Sequence, residues 1–158
     1  MIGLVIAVWA QPLTAQTAPA TVTANAPETV AAAMQYAGYP VELTKDTYDD
    51  PLIRTEFSGR EGAVYFYGCD EETHDGCSSV QFVTGFDREE PWPAAQMNAF
   101  SKSKRFIRVY LDDEGDPWAE LDFVTLDGVP ASVFLKTLDY FSWAVGDMTE
   151  IVFAEEND

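Results

Sequence analysis

Residues 65–82 read YFYGCDEETHDGCSSVQF, and the alternation on either side of the two cysteines admits one strand pairing. Placing Cys69 opposite Cys77 pairs Phe66 with Val80 and Val64 with Phe82, four apolar side chains on one face. Tyr67 then meets Ser79, and Tyr65 meets Gln81, on the other face. A slip of one residue would turn Val64 and Phe66 toward polar or small partners on the wrong side. The register that satisfies the apolar pattern therefore also brings the two sulfurs together, and it predicts a β-hairpin closed by a Cys69–Cys77 disulfide. Closing this nine-residue loop stabilises the fold by about 2.6 kcal/mol in the chain-entropy account. That is a substantial share of a small domain's stability.

The loop also holds the only histidine of the chain, so the competing reading is a metal clip. Its ligands would be Cys69, His74, Cys77 and one of Asp70, Glu71, Glu72 or Asp75, all of types that zinc accepts. The spacing matches no familiar finger or ribbon. A redox-active pair would sit two residues apart at a helix start, unlike these cysteines.

A disulfide persists in an oxidising compartment, and the first residues, MIGLVIAVWAQPLTAQ, fit one. An uncharged apolar run from Ile2 to Ala10 followed by small residues resembles a signal peptide over residues 1–15, cleaved after Ala15 or, as the alternative, after Ala10. The positive n-region of such peptides is lacking. The run is too short to span a bilayer, and no cysteine near the cleavage region offers a lipid attachment site. The expected location is therefore the periplasm or the exterior, with no membrane anchor.

With 158 residues, 47% of them hydrophobic, the chain has enough apolar surface for one core. Its 27 acidic and nine basic residues give a formal net charge of −18. That long-range field repels nucleic acid and anionic membranes, which leaves partners that are neutral, cationic or bound locally.

Residues 16–26, rich in Thr, Ala and Pro, read as a flexible lead-in, and residues 27–153 as the domain, followed by an acidic tail over 154–158. PETVAAAMQYAG predicts a helix opened by Pro27, with Glu28 near its positive end and Gly38 at its close. Strands are expected at 41–45, 52–58, 62–69 and 78–86, then a helix opened by Pro93 with Met97 and Phe100 on one face. Two further strands, 105–111 and 118–124, flank the turn DDEGDP. Phe134, Leu138, Phe141, Val145 and Met148 recur at three- and four-residue steps, which predicts an amphipathic closing helix. The order α-β-β-β-β-α-β-β-α argues an α+β fold, an antiparallel sheet with helices on one face.

No catalytic constellation can be assembled: there is no nucleophile elbow, no phosphate-cradling glycine loop and no carboxylate pair that stands out. The expectation is a non-enzymatic protein without a cofactor or metal. Asp112, Glu114 and Asp116 lack the twelfth-position glutamate and flanking helices of a calcium loop, and read as turn chemistry, as does DTYDD at 46–50. Lys102, Lys104, Arg105 and Arg108 could form an anion patch, but lysines at a helix end complement its dipole and Arg108 can answer Glu120 across a hairpin. With Val109 opposite Ala119, Tyr110 meets Trp118, so the face away from the core gathers Arg54, Tyr65, Tyr67, Arg108, Tyr110 and Trp118. These residue types dominate protein interfaces, and equally stabilise solvated sheets.

The motifs Asp50-Pro51-Leu52-Ile53, Tyr65-Phe66-Tyr67-Gly68-Cys69, Lys104-Arg105-Phe106 and Tyr110-Leu111-Asp112 through Gly115-Asp116-Pro117 resemble those of the YbjN domain family of bacterial sensory transduction regulators, over residues 27–153. The resemblance implies a fold similar to type III secretion chaperones, domains that commonly dimerise and bind other polypeptides. It brings no catalytic residues. The resulting expectation is an exported protein-binding or regulatory domain whose partner is another protein or a second copy, with a small-ligand or metal sensor of the cell envelope as the alternative.

Overall fold

The computed structural model describes residues 17–154, so the expected signal peptide lies outside the described residues. Helix α1 (Pro27–Tyr36) carries its proline in the first turn and Glu28 beside it. It stops where Gly38 takes φ 88°, which lets the Tyr39 amide reach back to the Met34 carbonyl.

Four strands follow as a meander: β2 (Glu42–Lys45), β3 (Pro51–Phe57), β4 (Arg60–Tyr67) and β5 (Ser79–Gly85). Helix α2 (Ala94–Ser103) buries Met97 and Phe100. Next come β6 (Arg108–Leu111), β7 (Pro117–Val124) and the closing helix α3 (Ala131–Val152). The large sheet is antiparallel throughout, in the order β2-β3-β4-β5-β7-β6. Both expected registers hold: Val64 faces Phe82 and Phe66 faces Val80, while Val109 faces Ala119 and Tyr110 faces Trp118.

One face of the sheet is the core. Ile53, Phe57, Val64, Phe66, Val80, Phe82 and Leu121 are buried there. The whole α3 stripe of Phe134, Leu138, Phe141, Val145 and Met148 is buried as well. Phe141 meets Phe57 and Phe134 meets Phe82 in edge contacts with ring centres 4.8 Å and 5.8 Å apart. Gly62 is required here, because a Cβ on it would lie 2.5 Å from the Phe57 ring and 2.8 Å from Thr84 Oγ1.

Two expectations need correcting. Within the expected lead-in, Thr21–Val22 forms β1, paired antiparallel with β8 (Val129–Pro130), and Val22 and Ala24 are buried. The Ala24 amide donates to Thr125 Oγ1 at 2.8 Å, fixing the entry to α1 against the approach to α3. The strand expected over 105–111 begins only at Arg108, because the backbone turns left-handed at Phe106 with φ 66°.

Candidate interaction surface

Because side chains alternate along each strand, the register fixes which residues share the outer face. One row across the sheet runs Arg108, Glu120, Val83, Ala63, Arg54, Glu42. The next runs Asp122, Gln81, Tyr65, Leu52, Thr44. All six residues expected on this face are therefore there: Arg54, Tyr65, Tyr67, Arg108, Tyr110 and Trp118. The structure sorts them into two groups with different occupations, which share Tyr67.

At the β6–β7 edge the side chains are used internally. Glu120 is 6% exposed, yet its carboxylate accepts from the Tyr110 hydroxyl at 2.6 Å, from Gln81 Nε2 at 3.4 Å and from the Arg108 guanidinium. Burial, then the bond to Glu120, pushes the Tyr110 phenol up to about 12. Trp118 lays its indole over Gly85, where an added Cβ would sit 3.0 Å from the ring, and donates Nε1–H to Asp112 at 2.9 Å. Tyr67 joins the same network from β4, its hydroxyl donating to Gln81 at 3.3 Å. This chain of bonds satisfies every buried polar group it crosses, which is what lets a carboxylate sit on a nearly closed sheet surface.

At the β2–β4 side the aromatic surface stays open. Tyr65 and Tyr67 from β4, Leu52 and Arg54 from β3 and Tyr48 from the β2–β3 turn line a groove of about 570 Å³. Tyr48 is 77% exposed and Tyr67 47%. Tyr48 escaped the sequence reading because it stands in a turn, outside any strand period; the available signal was a bulky aromatic set among aspartates in DTYDD.

The cysteine loop borders this groove. Cys69 and Cys77 are joined in a disulfide, and His74 turns to the β2–β3 turn, donating Nδ1–H to Asp50 at 3.0 Å. The sulfurs are bonded to each other and the imidazole is held by Asp50, so the metal clip weighed from the sequence is not assembled. Asp70 organises the loop tip, accepting from the amides of Glu72 and Thr73 at 2.9 Å each, and these bonds hold its carboxyl below the usual range. Asp112 accepts from the amides of Glu114 and Asp116 in the turn expected there. The expected Arg108–Glu120 pair across β6 and β7 is formed.

The sequence model of the YbjN family, described as "Putative bacterial sensory transduction regulator", matches residues 26–148. The chain belongs to the YbjN family. The match opens one residue before α1 and ends inside α3, so the YbjN domain takes in the whole six-stranded sheet and its outer face. The YbjN description is of a regulator rather than an enzyme. Among curated proteins none matches the chain significantly. No helix among the described residues is long and apolar enough to cross a membrane.

Proposed function

We propose that this YbjN chain is an exported, non-enzymatic regulatory domain that holds a partner polypeptide on its outer sheet face. The observation that carries this reading is the groove of Tyr48, Tyr65 and Tyr67, an aromatic surface that the helices leave uncovered. Tyrosines contribute large contact area with few torsions to freeze, which is why they anchor interfaces. Lys45 and Arg54 balance Asp46 and Asp50 within the groove, so the overall charge of −18 and the tyrosine faces, on which cations stack, are what favour segments carrying Lys or Arg. The similarity to chaperone-like domains implied by the sequence motifs supports a polypeptide as the ligand. The disulfide and the apolar N-terminal run support export.

The test is site-specific photo-crosslinking in the native cell envelope. A photoreactive residue at Tyr48 is expected to capture a discrete protein adduct, and the same residue at Glu150 on α3 to capture none of that species. Equal capture from both positions, or none from Tyr48, would reject the groove as the docking site.

A further inference from the structure

The layer opposite the groove carries a second concentration of exposed rings. Tyr140 and Trp143 lie three residues apart on α3, with Trp143 61% exposed, and Phe106, 62% exposed, stacks on Tyr140 with ring centres 5.8 Å apart. Each ring has a cation against it. Lys104 Nζ lies 4.4 Å from the centre of the Trp143 ring, Lys136 Nζ 4.8 Å from that of Tyr140, and the Arg105 guanidinium carbon 4.6 Å from that of Phe106. With Lys102 in the last turn of α2, four of the nine basic residues gather here. Asp147 pairs with Lys104 and Asp139 with Lys136, whereas Lys102 and Arg105 form no salt bridge among the described residues. The patch is thus locally cationic on a strongly acidic chain.

A second observation is independent of charge. The left-handed backbone at Phe106 is a conformation that bulky residues adopt only under constraint. Here it places the ring in water, although the neighbouring Ile107 packs on the core. Strained positions of this kind cluster at binding sites, and this one adjoins the three rings and their cations.

Lys104, Arg105, Phe106, Tyr140 and Trp143 line a cleft of about 230 Å³. That is smaller than the roughly 300–1,000 Å³ typical of small-molecule sites, and suits one inserted anchor side chain. We infer that the Phe106–Tyr140–Trp143 cleft docks an acidic polypeptide segment, one apolar or aromatic anchor flanked by Asp or Glu. The flanking carboxylates meet Arg105 and Lys102 while the anchor packs between the rings. At physiological salt, fields fade within about 8 Å, so a short acidic segment responds to the patch alone. An anionic bilayer extends past the patch and meets the surrounding acidic surface. The outer sheet face plays no part in this site, so failure of either reading leaves the other standing.

The test is an array of hexapeptides that pair one Leu, Phe or Trp with two or more Asp or Glu, probed with the oxidised full-length protein. A matching array carries Lys in place of the acids. Retention of acidic peptides is expected, with affinity reduced about tenfold or more by Trp143→Ala and by Arg105→Glu, and unchanged by Tyr48→Ala. Phe106→Asn, a residue at ease in the left-handed region, is expected to melt at or above the wild-type temperature and still to lose binding. Retention confined to basic peptides, acidic retention indifferent to Trp143→Ala, or Phe106→Asn binding like wild type would overturn the inference. So would sedimentation with phosphatidylglycerol vesicles through Trp143 in the absence of peptide retention.

Discussion

Asp46 and Asp112 close two turns with the same set of hydrogen bonds. Each side chain accepts from the amides two and four residues on: Tyr48 and Asp50 in the first turn, Glu114 and Asp116 in the second. Each backbone amide donates to the carbonyl four residues on, at 2.9 Å and 3.0 Å. The sequences DTYDDP and DDEGDP share their first, fifth and sixth residues, and the fourth takes a positive φ in both, 69° at Asp49 and 88° at Gly115. Alternating strand directions put these turns at diagonal corners of the sheet, one starting β3 and the other starting β7. One corner presents Tyr48 to the groove and the other ties down Trp118.

The two aspartates are unequal, because only Asp112 also accepts from an indole. That bond to Trp118, the largest cause, together with the turn amides, holds its carboxyl below the usual range. A depressed folded-state value means that the native state binds fewer protons, so this stability is present above the ordinary carboxylate range and fades as pH falls through the folded value. Asp112→Ala is expected to lower the urea midpoint at pH 7 more than Asp46→Ala does, and to flatten the acid limb of the stability curve. Equal midpoints for the two variants would show that the Trp118 bond contributes nothing.

The disulfide predicts a difference between oxidised and reduced protein. Reduction, or the double change Cys69→Ser and Cys77→Ser, is expected to remove about 2.6 kcal/mol of unfolding free energy by freeing the nine-residue loop. The entropy loss falls on the unfolded chain, and the His74–Asp50 bond does not depend on the disulfide, so the reduced protein is expected to retain its native circular dichroism. Intact mass with and without reductant reads the disulfide, and the same measurement tests the proposed cleavage after Ala15.

What was legible in the sequence follows from how much pattern each element carries. The β4–β5 register could be read because its five cross-strand pairs admit one arrangement that buries Val64, Phe66, Val80 and Phe82 together. The α3 stripe from Phe134 to Met148 runs through about four turns and leaves no doubt about its buried side. Strands β1 and β8 have two residues each, too few to show a period, and are held by long-range bonds such as Ala24 to Thr125. At Phe106 no Gly or Asn marks the left-handed turn, so KRFIR reads as plain strand. The aromatic face was readable as a set of residues. Its division was not, because Trp118 and Tyr110 are tied up by Asp112 and Glu120, partners that depend on side-chain geometry.

Thr84 and Gly62 predict opposite responses at one place in the core. The Thr84 hydroxyl is buried with no hydrogen-bond partner among the described residues. Thr84→Val keeps the shape and removes the orphan group, with an expected gain of up to about 1 kcal/mol. Gly62→Ala drives a methyl into the Phe57 ring, which is itself fully buried and cannot withdraw. Overpacking of this kind costs about 1–3 kcal/mol. Chemical denaturation of both variants checks the pair; a neutral Gly62→Ala would show that the Phe57 ring has room to move.

Tyr110 predicts an alkaline transition. Its phenol donates to the nearly buried Glu120 carboxylate, and ionisation would set two negative charges against each other across 2.6 Å. The folded value of about 12 lies above the ordinary 10.0. The native state therefore keeps a proton that the unfolded chain gives up. By linkage this stability is whole below pH 10, and it is lost as pH rises from there through the folded value. Absorbance titration is expected to show Tyr110 ionising last, after Tyr67, whose phenol is also raised by burial, and Tyr110→Phe should remove that last component and soften the alkaline loss of stability. If the last component survives Tyr110→Phe, the group that ionises last is another tyrosine, and the Glu120 network at the β6–β7 edge does not hold the proton where the geometry places it.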